Sequence, residues 1–167
     1  MSEKEQVLKE KLEHSGLWDF KGFYSFAHSW LEEEDYDVEE GKYSEKVSGT
    51  ARDINFDWKA TKQSSDYFKK ELKLGFEVKE LTEVEVEIDG KKKRMNKGKV
   101  NVEIKGSLIS DPESKWEVSP FYRFLRDSYN KYIVPGRVSS MQDQISGDVV
   151  GLKEELKAYL ELSGRRR

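Results

Sequence analysis

The chain has 167 residues, 35% hydrophobic and 38% charged, and its four tryptophans, eight tyrosines and eight phenylalanines supply enough bulk for one core. This excludes disorder throughout and leaves little length for two domains. The absence of cysteine excludes disulfides, thiolate metal sites and cysteine nucleophiles, and a formal net charge of −3, split as −5 over 1–35, −1 over 36–114 and +3 over 115–167, excludes a general polyanion binder.

Ser2 and Glu5 have capping-box spacing ahead of Val7, Leu8 and Leu12, and Gly16 follows at a stopping position, so a short first helix is expected. Asp19 then caps a second helix carrying Phe20, Phe23, Tyr24, Ala27, Trp30 and Leu31 at three- and four-residue steps. The acidic run 32–35 opposes the helix dipole and should end it.

From Tyr36 the period becomes two. Val38, Tyr43 and Val47 change parity around Gly41, which marks a bulge or turn. Ile54, Phe56, Trp58 and Ala60 give the cleanest alternation, repeated by Leu72 to Val78, Val84 to Ile88 and Val100 to Leu108. The links are too short for crossover helices, so the strands are antiparallel. Ser119-Pro120 opens a helix with Phe121, Phe124, Leu125, Tyr129, Tyr132 and Ile133, which Pro135-Gly136 breaks. A last stripe runs from Val138 through Met141, Ile145, Val149, Leu152, Leu156 and Tyr159 to Leu160 over 137–162, roughly 40 Å if continuous, with Gly147 and Gly151 marking a kink, a close crossing or a break.

These elements predict one α+β domain over 1–167. A helical segment (1–34) and C-terminal helices (119–163) cover one face of an antiparallel sheet of about five or six strands (36–110). The other face carries alternating charges, including Asp57, Lys59, Glu71, Lys73, Glu77, Glu103 and Lys105, and meets water or a partner. By element order alone, the competing layout is a curved sheet wrapped around the terminal helix, as in helix-grip lipid-binding domains.

Chemistry-bearing candidates are few. Lys91-Lys92-Lys93-Arg94 with Lys97 and Lys99 is the densest basic cluster, but an Asp89-Gly90 hairpin turn sets Glu87 opposite Lys92 and Glu85 opposite Arg94, leaving Lys91, Lys93, Lys97 and Lys99 for an anion. Arg123, Arg126, Lys131, Arg137 and the Arg165-Arg166-Arg167 tail add a weaker basic edge. The aromatics from Trp18 to Trp30 read as core over Trp58 and Phe76, with Trp18 and Phe26 the candidates for exposure, and Trp116 reads as a lid over the core edge. Met141, Ile145 and Val149 are candidate partner or ligand contacts on the last helix. His14 and His28 sit in no metal spacing, carboxylate pairs such as Asp53 and Asp57 need geometry before any role, and no catalytic, phosphate-loop or cofactor motif occurs, so neither enzyme activity nor a cofactor is expected.

Leu17-Trp18-Asp19-Phe20, the 84–92 segment with its Asn96-Lys97-Gly98 turn, and Pro120-Phe121 before Phe124-Leu125-Arg126 resemble small uncharacterised archaeal proteins over most of the chain, a resemblance that implies no activity or ligand. No apolar run approaches the roughly 18 residues of a membrane span, and the start lacks the layout of a secretory leader. A cytoplasmic protein is expected, with Lys- and Glu-rich ion networks of a kind also used at high temperature. The leading expectation is a non-enzymatic interaction module that engages a protein partner, which includes a second copy of itself. The alternatives are a pocket for a hydrophobic small molecule or lipid, and nucleic-acid or acidic-membrane binding through the 91–99 hairpin.

Overall fold

The computed structural model describes residues 3–65, 67–110, 124 and 134–165. Five antiparallel strands, β1 (Glu3–Trp18), β2 (Asp37–Ser48), β3 (Ala51–Gln63), β4 (Phe68–Ile88) and β5 (Lys91–Ser110), form one sheet in the order β1-β5-β4-β3-β2. Two helices, α1 (Phe20–Glu33) and α2 (Val134–Arg165), pack on one face, giving a two-layer α+β domain. The helix expected over 119–133 and the lid expected at Trp116 lie, except for the exposed Phe124, outside the described residues.

Residues 3–18 form an edge strand where a helix was expected. Leu8 and Leu12 are four apart, an interval that suits one helical turn and also two strand repeats, so periodicity does not separate the two states. Pairing with β5 decides it: Leu8 stands opposite Gly106 and Leu12 opposite Val102, with a bulge absorbing Val7. The Lys, Glu and Leu of this segment favour helix only weakly, and tertiary context overrides that preference.

The remaining strands follow the alternation. A register shift falls between Glu40 and Tyr43, around Gly41, and Asp57 Oδ1 accepts the Lys42 N–H at 3.0 Å beside it. The stretches 72–78 and 84–88 merge into the single strand β4 through a bulge at Glu80 (φ 54°), whose N–H donates to Asp53 Oδ1 at 2.9 Å. Asp53 and Asp57 are therefore bulge anchors. Asp89 and Gly90 both take positive φ (52° and 78°), and Glu87 faces Lys92 and Glu85 faces Arg94 in the expected register.

Helix α1 buries Phe23, Ala27 and Leu31 at four-residue steps. Asp19 occupies the N-cap, but its side chain makes no capping bond; the first amide of the helix, Phe20 N–H, donates instead to Asn96 Oδ1 of β5 at 3.0 Å. Helix α2 is continuous, about 48 Å long, and takes Pro135 and Gly136 into its first turn, where a proline lacks only a hydrogen bond that the helix does not make there. Neither Gly147 nor Gly151 breaks it. The close crossing lies on the sheet at Gly106: a Cβ there would stand 2.6 Å from Ile145 Cγ2 and 2.7 Å from Val149 Cγ2. The absence of a side chain at that position lets α2 lie against β5 and β1, a seating pinned at the edge by Lys153 Nζ, 3.1 Å from Glu10 Oε2.

Between the layers, Phe56 stacks on Phe76 (4.4 Å, 12°), Tyr24 meets Trp58 edge-on (4.9 Å), and Phe23 touches Trp18, Phe76 and Tyr159. Phe56, Trp58, Leu74 and Val102 share this core, and Val86 lies half-buried on the β4–β5 extension. At the α2 end of the core Lys70 is only 5% exposed; it donates to Gln144 Oε1 at 3.1 Å and lies 3.8 Å from Asp148, which also accepts the Tyr36 hydroxyl at 2.6 Å.

Candidate binding face of the sheet

Among the described residues no element covers the second sheet face along the middle of the strands, and the register there assembles residues far apart in sequence. In one cross-strand row Lys9, Lys105, Lys73 and Lys59 stand side by side on β1, β5, β4 and β3, ending at Glu39 of β2. Two residues along the strands the row reads Lys11, Glu103, Gly75, Asp57, and the next reads Glu13, Asn101, Glu77, Asn55, Ser44. On the other side lie Gln6, Ser107, Glu71, Thr61 and Asp37. Sheet twist turns this surface into an open trough of about 1060 Å³ whose lining includes Lys11, Lys59, Lys73, Gly75, Asp57 and Lys105.

Directly opposed like charges destabilise a sheet, so the lysine row is a cost that its neighbours offset only in part. Glu71, 2% exposed, holds Lys4 Nζ at 2.6 Å and has Lys59 and Lys73 each at 4.0 Å. Glu103 takes Lys9 at 3.4 Å and Lys11 at 3.9 Å. Among the described residues no carboxylate pairs with Lys105. The crowding shows in the proton affinities. Its close contact with Glu71 raises Lys4, whereas the Lys4 ammonium pushes Lys73 below the ordinary lysine value, with a smaller push of the same sign from Lys105.

The residues singled out from sequence fall elsewhere. Lys91, Lys93, Lys97 and Lys99 are exposed along the β4–β5 hairpin and its continuation, opposite Ile88, Val86, Thr82 and Lys79; near the turn Arg94 makes a diagonal ion pair with Glu83 at 3.7 Å, and further along Lys79 lies 2.8 Å from Glu77. Trp18 is fully buried, contrary to the exposure expected of it, and Phe26 stacks on Tyr159 at 4.8 Å. Ile145 and Val149 are buried against the sheet and Met141 packs on the core, so the α2 stripe is already covered by this chain. His14 Nε2 lies 3.1 Å from the Leu17 carbonyl, and His28 Nδ1 lies 2.8 Å from Glu32 Oε1 with its ring edge-on to Trp58.

The lysine row is not legible in the sequence because the spacing around Lys9 suits a helix as well as a strand, and because alternation assigns a side chain to a face without saying which residue of the next strand stands beside it. The usable signal was the Asp89-Gly90 turn: counting back from it pairs 85 with 94, but the bulge at Glu80 then shifts the count before Lys73 and Lys105.

Comparison with known proteins finds no family model that matches the chain and no match among curated proteins. No helix among the described residues is long and apolar enough to cross a membrane.

Proposed function

We propose that the chain is a non-catalytic binding module whose working surface is the polar face of the sheet. The observation that carries this reading is the open trough over five strands, lined by an ordered array of lysines and acids on a sheet backed by α1 and α2. A surface built on paired strands keeps its charges at fixed spacings, which suits selective recognition. Two other readings have less support. A pocket for a hydrophobic ligand between sheet and α2 competes with the contact of Ile145 and Val149 at Gly106, and self-association through the α2 stripe requires side chains already buried within the chain.

The test is a backbone-amide NMR screen of the intact chain against mixed peptide and small-molecule libraries. Ligand-induced shifts are expected to cluster around Lys11, Asp57, Gly75 and Glu103. Hits that map instead to α2 or to the 91–99 hairpin refute the assignment.

A further inference from the structure

We propose that the row Lys9, Lys105, Lys73, Lys59 binds a compact ligand carrying two or more linked phosphate groups, seated across the strands over Lys105 and Lys73. This rests on the polar face being the working surface and adds the chemical class of its ligand.

Five ammonium groups, those of Lys4, Lys9, Lys11, Lys59 and Lys73, share two carboxylates, Glu71 and Glu103, and the sixth, that of Lys105, reaches neither. The surplus positive charge is therefore concentrated at the centre of the row, where Lys105 has no acidic partner among the described residues. Packing does not require lysine at positions 59 and 73, whose side chains are about half exposed on the open face (49% and 51%), and Lys105 between its neighbours is half-buried. A local rule broken without a structural return points to a ligand that supplies the missing negative charge. Adjacent strands are about 4.8 Å apart, so the row is a bar of charge roughly 14 Å long. Gly75, next to Lys73 along β4, leaves the floor beside the bar clear: a Cβ there would meet nothing within 4 Å. Lysines bind phosphate as point charges and need no fixed fork geometry, which suits four parallel ammonium groups.

The surroundings favour a short ligand over a long one. Asp57 and Glu103 one row away, and Glu13 and Glu77 in the row beyond, repel a polyanion that continues along the strands. No residue in these rows is aromatic, so the rows themselves offer no ring on which a nucleic-acid base can stack. A flat anionic membrane meets the same flanking carboxylates.

The experiment is calorimetric titration of the intact chain with inorganic tripolyphosphate at two salt concentrations, with citrate, single-stranded RNA and acidic phospholipid vesicles as parallel arms. Saturable, salt-sensitive binding of tripolyphosphate is expected, weakened at least tenfold in the Lys73→Gln/Lys105→Gln variant and unchanged in Lys91→Gln/Lys93→Gln, with thermal unfolding confirming that both variants fold. Absence of binding, citrate binding as tightly, RNA or vesicles binding more tightly, or loss of binding only in the hairpin variant each overturns the proposal. If tripolyphosphate fails while library ligands still map to the trough, the binding face stands and the phosphate class falls; if neither maps there, both fall.

Discussion

Lys73 on β4 stands directly opposite Lys105 on β5, two cationic side chains in one antiparallel cross-strand pair on an open face. Such a pair costs a few tenths to about 1 kcal/mol relative to a neutral one. Replacing Lys105 by Thr, which keeps strand propensity and removes one charge, is therefore expected to raise stability by about that amount at low ionic strength. The gain should shrink as salt rises, because the pair is solvent-screened. Urea unfolding at two salt concentrations measures it, and an unaltered or lower midpoint at low salt contradicts the strain argument.

Gly106 sets the separation between sheet and helix. Alanine there drives its methyl group into Ile145 and Val149, whose Cγ2 atoms lie 2.6 and 2.7 Å from the Cβ position, and the expected loss is about 1–3 kcal/mol. Removing the Val149 methyl groups makes room, so the Gly106→Ala/Val149→Ala protein should lose less than the two single losses combined. Strict additivity in chemical denaturation would show that α2 does not rest on this glycine.

Glu71 is a buried carboxylate that gathers three lysines, yet those lysines keep 40–51% of their side-chain surface in solvent. Truncating it leaves cations that water can still hydrate, so the cost is that of lost charge-assisted contacts, about 1–3 kcal/mol, and not of an orphaned buried ion. Glu71→Ala should lower the unfolding midpoint accordingly, and Lys4→Met, which leaves the buried carboxylate without its 2.6 Å partner, should lower it at least as much. An unchanged midpoint in both would place the carboxylate outside the network described.

Alkaline pH should weaken the fold through its tyrosines. Desolvation, aided by Glu40, pushes Tyr24 up to about 12, and burial together with Asp148 raises Tyr36. Since both exceed the ordinary value near 10, the unfolded chain loses these protons first. The associated stability is fully present below about pH 10 and lost as pH climbs through the folded values. Lys70, lowered by desolvation, acts in the opposite sense, its penalty easing as it deprotonates. Denaturation midpoints between about pH 9 and pH 12 are expected to fall, and to fall less steeply in Tyr24→Phe/Tyr36→Phe. A wild-type midpoint that stays level over this window removes the argument.

Local chemistry explains which parts of the fold could be read from sequence. Alternation of Ile54, Phe56, Trp58 and Ala60 states both that β3 is a strand and which side is buried, since side-chain direction in a strand is a two-residue property. The Asp89-Gly90 turn fixes the 85–94 register for the same reason: its two left-handed residues permit one hairpin geometry. Phe23, Ala27 and Leu31 carry the helical equivalent. The segment 3–18 carries no such distinguishing signal, because Leu8 and Leu12 satisfy either period.

The sequence by itself determined the α+β class, the extended segments that become β2 to β5, the two helices that pack on them and the split of those segments into an apolar and a charged side, all written in spacings of two to four residues. Tertiary structure alone decided that residues 3–18 add a fifth strand at the edge and that Lys9, Lys59, Lys73 and Lys105 fall into one row. Which residues face each other across a sheet depends on turns, bulges and long-range pairing acting together, and no local pattern around any of the four lysines encodes that sum.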